Sequence, residues 1–286
     1  MEIRVEDLHY VYNQGTPLAT RALEGVSFTL SSGKALGILG GTGSGKTTLI
    51  RHLNGLLFPT QGRVLIGGVE TRAHGPQLAR KVGVVFQRPE RQLFEETVFK
   101  DISFVLRRFS RLSGEEILSR VDHACAQVGL VLRDIGDRSP HDLSDSEKRK
   151  VAIAAVLVNR PDVLVLDEPS AGLDPFAVAG LIRLLEEIKA SGDKTIVVVA
   201  HDMEEFLPLV DQTLVMDRGH VAAFGTPSEV CAALRGDPET AALLPGLALV
   251  VDDLQSAGYD MNRSGYGARA LADRIAVLAG LPESSK

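Results

Sequence analysis

The stretch Ala35-Leu36-Gly37-Ile38-Leu39-Gly40-Gly41-Thr42-Gly43-Ser44-Gly45-Lys46-Thr47-Thr48 decides the fold. Its first five residues are apolar without a polar break, the mark of a parallel strand covered on both faces. The eight residues Gly40 to Thr47 fit G-x-x-x-x-G-K-S/T, in which glycines let successive backbone N–H groups curl around a phosphate. Lys46 is placed to reach the outer phosphate oxygens, and the Thr47 hydroxyl to ligate Mg²⁺. Beyond them Leu49, Leu53 and Leu56 recur on one helical face, so a helix begins here with its positive end toward the phosphates. Strand, loop and helix in that order predict a nucleotide site rather than a glycine-rich turn.

An acidic strand end answers it. Val163-Leu164-Val165-Leu166-Asp167-Glu168 is again apolar up to its carboxylates. Asp167 is placed to hold Mg²⁺ through water, and Glu168, one residue on, to polarise an attacking water. Further strand candidates lie at 3–12, 27–30, 63–66, 82–86, 195–200, 213–216 and 220–224. The unbroken apolar runs predict a parallel sheet, whereas residues 3–6 and the segments around 28, 64 and 221 alternate or are short and suit a smaller antiparallel sheet. Between Glu95 and Arg160 helical spacing dominates, as at 121–128 and 151–158. The chain therefore reads as α/β: a P-loop NTPase core over 1–230, with an antiparallel β subdomain and an inserted helical subdomain over 95–160. After residue 225 only helices are expected. Thr226-Pro227-Ser228-Glu229 is a capping box with proline at the first helical position. Leu247, Val250, Val251 and Leu254 recur at helical spacing, as do Leu271, Ile275 and Leu278, giving a small C-terminal extension over 231–286 suited to dimerisation.

Composition bounds the class. The 286 residues are 44% hydrophobic and 24% charged, the balance of a globular chain and not of a disordered one. Lys and Arg total 31 against 37 Asp and Glu, a net charge of −6 that argues against bulk electrostatic attachment to nucleic acid or anionic lipid. Cys125 and Cys231 are too few for a disulfide framework and too far apart for a metal knuckle, so a reducing cytosol is the natural compartment. The apolar stretches at 151–158 and 241–251 fall short of the roughly 20 residues that span a bilayer. The opening MEIRVEDLHY has no signal-peptide profile. A soluble protein is expected, with any membrane association made through partners.

Over residues 1–230 the order and spacing of these segments resemble the ATP-binding cassette (ABC) ATPases. The resemblance implies that the nucleotide is ATP. Gln87, after the strand at 82–86, looks like the family's glutamine that contacts Mg²⁺ and relays to a membrane partner. Ser170-Ala171-Gly172-Leu173-Asp174 looks like the D-loop, and His201 like the switch histidine near the γ-phosphate. Taken alone, a strand-end histidine or a surface glutamine is usually structural; their place in the motif order is what distinguishes them. Tyr12 resembles the aromatic that stacks on adenine, in preference to Tyr10, which could occupy the site instead. By the same resemblance Thr48, Ser144 and Asp174 also contact nucleotide.

The segment Gln87-Arg88-Pro89-Glu90-Arg91-Gln92-Leu93-Phe94-Glu95-Glu96-Thr97-Val98 is similar to the corresponding stretch of energy-coupling factor (ECF) transporter ATPases. So are the loop at 13–17 and the tail after Gly225-Thr226-Pro227. Such ATPases pair beneath a transmembrane scaffold protein that carries a small-molecule-binding membrane subunit. They work at the cytoplasmic face of the cell membrane and drive uptake of vitamins or of cobalt and nickel ions. The resemblance thus implies an ATP-hydrolysing importer subunit. Competing readings are a non-transport ABC ATPase and a regulatory subunit that hardly turns over. The former usually joins two cassettes in one chain or carries a long coiled coil, neither of which is seen here.

One motif departs from the family. Its signature loop normally reads LSGGQ and clamps the ATP held by the opposite subunit, but here the residues are Leu143-Ser144-Asp145-Ser146-Glu147. Side chains replace the glycines that let backbone N–H groups approach a γ-phosphate. A carboxylate about 5 Å from a phosphate charge costs roughly 3 kcal/mol at an effective dielectric of about 20. Ser144-x-x-Glu147 is also a capping box, which would satisfy the helix N-terminus internally. Two copies of this chain would weaken two ATP sites at once, so a heterodimer with a cassette of intact signature is expected over a homodimer.

Overall fold

The computed structural model describes residues 1–88, 91–201, 203–236, 244–256 and 271. From the N-terminus, β1 (Ile3–Tyr12) and β2 (Thr20–Leu30) form a hairpin, and β3 (Ala35–Leu39) runs through the glycine loop into α1 (Lys46–Leu53). Next come β4 (Gln61–Ile66), β5 (Val69–Glu70), the short helices α2 (Thr71–His74) and α3 (Leu78–Lys81), and β6 (Val82–Val85). Four helices follow: α4 (Val98–Phe109), α5 (Gly114–Gln127), α6 (Leu132–Ile135) and α7 (Asp145–Leu157). The chain then returns through β7 (Val163–Asp167), α8 (Pro175–Ala190), β8 (Thr195–Val199), β9 (Gln212–Asp217) and β10 (His220–Gly225) to α9 (Pro227–Leu234) and α10 (Gly246–Ser256).

The larger sheet has the order β10-β9-β3-β8-β7-β6, parallel from β9 to β6, and the smaller one, β2-β1-β4-β5, is antiparallel. Period-2 geometry splits the buried strand residues between two cores. Leu164, Leu166, Ile196 and Val198 pack with α4, α5, α7 and α8 on one face. Val163, Val165, Val197 and Val199 pack with α1 and the antiparallel sheet on the other. Continuous apolar strands are the consequence of covering both faces.

Besides α1, which ends at Leu53 and leaves the exposed Leu56 beyond its apolar face, two expectations need correcting. The segment around residue 221 does not join the small sheet; β10 pairs antiparallel with β9 at the edge of the large one. The reason is local: Arg218 and Gly219 both have positive φ (46° and 86°), as a two-residue type I′ hairpin requires, so β9 folds straight back on itself. Second, β2 begins at Thr20, well before residue 27, because the ten-residue β1 supplies a partner as far as Tyr12↔Thr20. In the C-terminal part Val230, Cys231, Ala248, Val251 and Leu271 join the same core as the inserted helices. Arg235 bridges α9 to Asp252 (3.0 Å) and Asp253 (2.5 Å) of α10. Ile275 and Leu278 lie outside the described residues.

Candidate functional site

The site forms where β3, β7 and β8 end side by side. Val199 stands level with Ile38 on one flank and Asp167 on the other, so the glycine loop, the acidic pair and His201 leave the same edge of the sheet. Ligands of open parallel sheets bind outside these carboxyl ends.

Two glycines are there because nothing else fits. At Gly40 (φ 149°) a Cβ would stand 2.3 Å from the Met216 carbonyl, and at Gly45 (φ 103°) 2.7 Å from that of Ala22. Gly41 and Gly43, by contrast, face open space. Inside the loop the Ser44 hydroxyl is buried without a hydrogen-bond partner, a feature that suits an incoming phosphate oxygen. Lys46 is buried, and its ammonium donates to the carbonyls of Gly40 (2.6 Å) and Gly41 (3.0 Å). Burial pulls its pKa down, while Glu168 and Asp167 push it back up. Thr47 is exposed at the loop's open side and Thr48 is buried.

Tyr12 reaches this loop: its hydroxyl is 3.2 Å from the Thr48 hydroxyl. Tyr10 stands one layer behind, edge-on to Tyr12 and to buried His52, each at 4.8 Å between centroids. His52 in turn donates from Nδ1 to the Thr48 carbonyl (2.7 Å). Tyr12 is therefore the ring tied to the P-loop helix, with Tyr10 as its backing.

Asp167 is buried at the end of β7. Burial, then the neighbouring Glu168 charge, raises its pKa, and Lys46 and Arg51 oppose the shift. Glu168 adopts φ 49°, a left-handed conformation uncommon for a side-chain-bearing residue. Its N–H donates to the Val199 carbonyl (2.7 Å), and its carboxylate accepts from the His201 backbone N–H (3.2 Å). The His201 imidazole lies 3.9 Å from the same carboxylate. Asp167, Glu168 and His201 are thus brought together where the neighbouring parallel strands β7 and β8 end.

Gln87 is exposed at a cleft of about 420 Å³ lined also by Arg88, Asp145, Lys148 and Arg149. Ser144 caps α7 with a full capping box: it accepts from Glu147 N, and Glu147 accepts from the Ser144 N–H and hydroxyl, both at 2.8 Å. Asp174 caps α8, accepting from Phe176 and Ala177 at 2.9 Å. Among the described residues no hydrogen bond or ion pair joins Ser144 or Asp174 to the glycine loop.

The signature carboxylates are not bare charges. Glu147 pairs with Arg138 at 3.2 Å and Asp145 lies 3.9 Å from Lys148. Hydrogen bonds from Ser144, with Arg138 adding to them, hold Glu147 below the usual carboxylate range.

Arg149 is not legible in the sequence, where Lys148-Arg149-Lys150 reads as a solvated charge run. In the fold it is buried and donates to the carbonyls of Glu168 (3.2 Å), Pro169 and Ala171 (2.8 Å). Gln92 is equally unannounced: it extends the edge of β6 by accepting from Phe86 N (3.1 Å) and donating to the Val84 carbonyl (3.2 Å).

Fold and site together define a P-loop nucleoside triphosphatase. Residues 23–171 match the ABC transporter family. The chain is 44% identical over 233 residues to the energy-coupling factor transporter ATP-binding protein EcfA2 of Caldanaerobacter subterraneus subsp. tengcongensis, covering 80% of this chain and 81% of the relative. It is 42% identical to the EcfA2 of Symbiobacterium thermophilum over 265 residues, 91% of each chain. Among solved structures, cbiO1 from Clostridium perfringens, part of the ABC transporter complex cbiONQ, superposes with a TM-score of 0.72 at 37% identity over 87% of this chain and 98% of that one. The dimeric ATP-binding cassette MJ0796 bound to ADP and Pi superposes with a TM-score of 0.70 at 26% identity over 78% of this chain and 98% of that one. This chain belongs to the ABC transporter ATPases and, within them, to the ATP-binding proteins of energy-coupling factor transporters. Its nucleotide is ATP, which it hydrolyses. No helix among the described residues is long and apolar enough to cross a membrane.

Proposed function

We propose that this chain powers an energy-coupling factor importer of vitamins or transition-metal ions. It would act at the cytoplasmic face of the cell membrane, beneath a transmembrane scaffold protein and a substrate-binding membrane subunit, paired with a second ATPase subunit. The observation that carries the reading is the convergence of the glycine loop, Asp167, Glu168 and His201 at one edge of the large sheet.

In this reading the glycine-loop amides, Ser44 and Lys46 bind the phosphates, and Tyr12 stacks on adenine. The hydroxyl of Thr47, the amide oxygen of Gln87 and the carboxylate of Asp167 are hard oxygen donors of the kind that hold Mg²⁺. That ion, bound with the nucleotide, supplies charge neutralisation at the β- and γ-phosphates. Glu168 accepts the proton of the attacking water, and its hydrogen bond from the His201 backbone fixes where it stands. Ser144 and Asp174 meet the nucleotide and loops of the opposite subunit.

Next to Gln87, an apolar groove runs between β6 and α4, lined by Leu56, Leu93, Phe94 and Phe104. Phe94 is 65% exposed and stacks edge-on against Phe104 at 4.9 Å. This groove is the surface we assign to the scaffold protein, since a segment next to the γ-phosphate-sensing glutamine can carry ATP state outward.

The partner ATPase is read as a different chain. A signature helix whose Glu147 N–H is taken by the Ser144 hydroxyl, whose Ser144 N–H is taken by Glu147, and whose first turn carries two carboxylates offers less to a facing nucleotide than a glycine loop would. A partner with an intact glycine loop would complete the site built here from Lys46, Glu168 and His201. Membrane extraction of the tagged chain tests the assembly. Recovery of a hydrophobic scaffold, a second ATPase and ATP-driven solute uptake in vesicles is the expected result; recovery with ribosomes alone overturns it.

A further inference from the structure

Glu168 sits in a left-handed conformation with both sides of its peptide frame held by other elements. Its N–H is taken by the Val199 carbonyl of β8. Its C=O is taken by Arg149, which projects from the second turn of α7 and is 7% exposed. The same guanidinium donates to the carbonyls of Pro169 and Ala171. The loop has few bonds of its own: Ala171 N to the Glu168 carbonyl (3.2 Å) and Leu173 N to that of Ser170 (3.0 Å). A strained backbone persists only where its surroundings over-determine it, and here the inserted helices supply half of that support.

We propose that Arg149 is a positioning residue for hydrolysis. It fixes the loop that carries Glu168 to the signature helix of the same subunit, so the orientation of α7 sets where the Glu168 carboxylate stands. The chemistry favours arginine specifically. One nitrogen of the planar fork serves Glu168 and Pro169 and the other serves Ala171, a spread that a single ammonium cannot cover. The guanidinium is also the partner of the buried Pro169 carbonyl, which loses that donor if the side chain is removed.

The consequence is a division of labour within α7. Its first turn, closed by Ser144 and Glu147, contributes weakly to the nucleotide of the opposite subunit. Its second turn still holds the catalytic loop of its own subunit. A tilt of the inserted helices against the sheet, driven by the partner, would reach Glu168 through this one side chain.

The inference rests on Glu168 being the base that activates water, and the test separates the two. Arg149→Met, Arg149→Lys and Glu168→Gln are compared in the intact transporter complex by steady-state ATPase kinetics and by hydrogen exchange at the 168–173 amides. Arg149→Met is expected to lower kcat by about 10- to 100-fold, with KM for ATP unchanged within about threefold. Arg149→Lys should recover only part of that loss, and both variants should exchange faster through 168–173. Should the methionine variant fail to assemble, the lysine variant decides. Parental kcat and parental exchange in Arg149→Lys overturn the inference, as does a fall in affinity that accounts for the whole loss in Arg149→Met. If Glu168→Gln keeps the parental rate, the assignment of the base fails instead, and the exchange data alone still decide whether Arg149 holds the loop.

Discussion

Lys46 is the cation buried in the glycine loop, and what it does is set by where burial puts it. Desolvation works against its charge, and Glu168 and Asp167 offset only part of that, so the ammonium sits among carbonyls that a triphosphate would replace as its partners. A hydrogen bond involving a charged group contributes about 1.5–3 kcal/mol, so Lys46→Ala is expected to weaken ATP affinity by about 10- to 100-fold. Fluorescent-nucleotide titration measures it; unchanged micromolar affinity would remove Lys46 from the site. Glu168 is a different case, because its carboxylate meets the His201 backbone rather than the glycine loop. Glu168→Gln keeps the shape and loses the proton acceptor. ATP binding should persist while turnover of the assembled complex drops roughly 100-fold or more. A rate near the parent's contradicts the role.

Helix α7 concentrates the unusual chemistry of this chain in one element. Its first turn puts Asp145, the Ser146 side chain and the Glu147 carboxylate where a glycine signature would bring bare backbone and a neutral amide toward a neighbour's phosphate. Rebuilding that signature with Asp145→Gly, Ser146→Gly and Glu147→Gln removes both carboxylates and leaves Arg138 and Lys148 without these ion-pair partners. ATPase rate or bound-nucleotide stoichiometry of the complex is expected to rise; if neither changes, the acidic signature is a harmless variant. The cap also has a pH signature. The folded pKa of Glu147 lies below its unfolded value, so its stabilisation is complete above the ordinary glutamate range and is lost as pH falls through the folded pKa. In thermal melts, Glu147→Ala should separate from the parent at pH 7 and converge with it below about pH 4. Equal separation at both pH values would mean that the carboxylate is not what matters.

At the scale of the whole molecule, the two faces of the large sheet divide the work. One carries the inserted helices and the C-terminal α9 and α10; the other carries α1 and the antiparallel sheet. The groove runs along the β6 edge of the sheet, lined by Leu56 and Ala79 from one side and by Phe104 and Val156 from the other. Of the two residues suited to crosslinking there, Gln92 is engaged with the edge of β6, whereas Phe94 projects into solvent. A cysteine at Phe94 should therefore capture the scaffold protein in membranes. Crosslinks from it that reach only the second ATPase would place the groove on the wrong face.

The core α/β architecture and the centre of the site are written in short-range patterns. Unbroken apolar runs at 35–39, 163–166 and 196–200, each bounded by turn residues, read as strands covered on both sides, and the glycine loop and strand-end acids follow the first two directly. The capping box at Ser144 is equally local, since its partners are three residues apart. Contacts between distant segments are not legible this way. Nothing near Arg149 in the chain announces that its fork closes on carbonyls some twenty residues away, or that Gln92 completes a strand it does not belong to. Whether Tyr12 or Tyr10 faces the loop was likewise decided by Thr48, thirty-six residues on. The same holds for β10, whose short, alternating segment pointed to the smaller sheet, whereas the Arg218–Gly219 turn folds it onto β9. Periodicity and loop chemistry act through neighbours along the chain, and long-range polar contacts exist only once packing has brought their partners within hydrogen-bond reach.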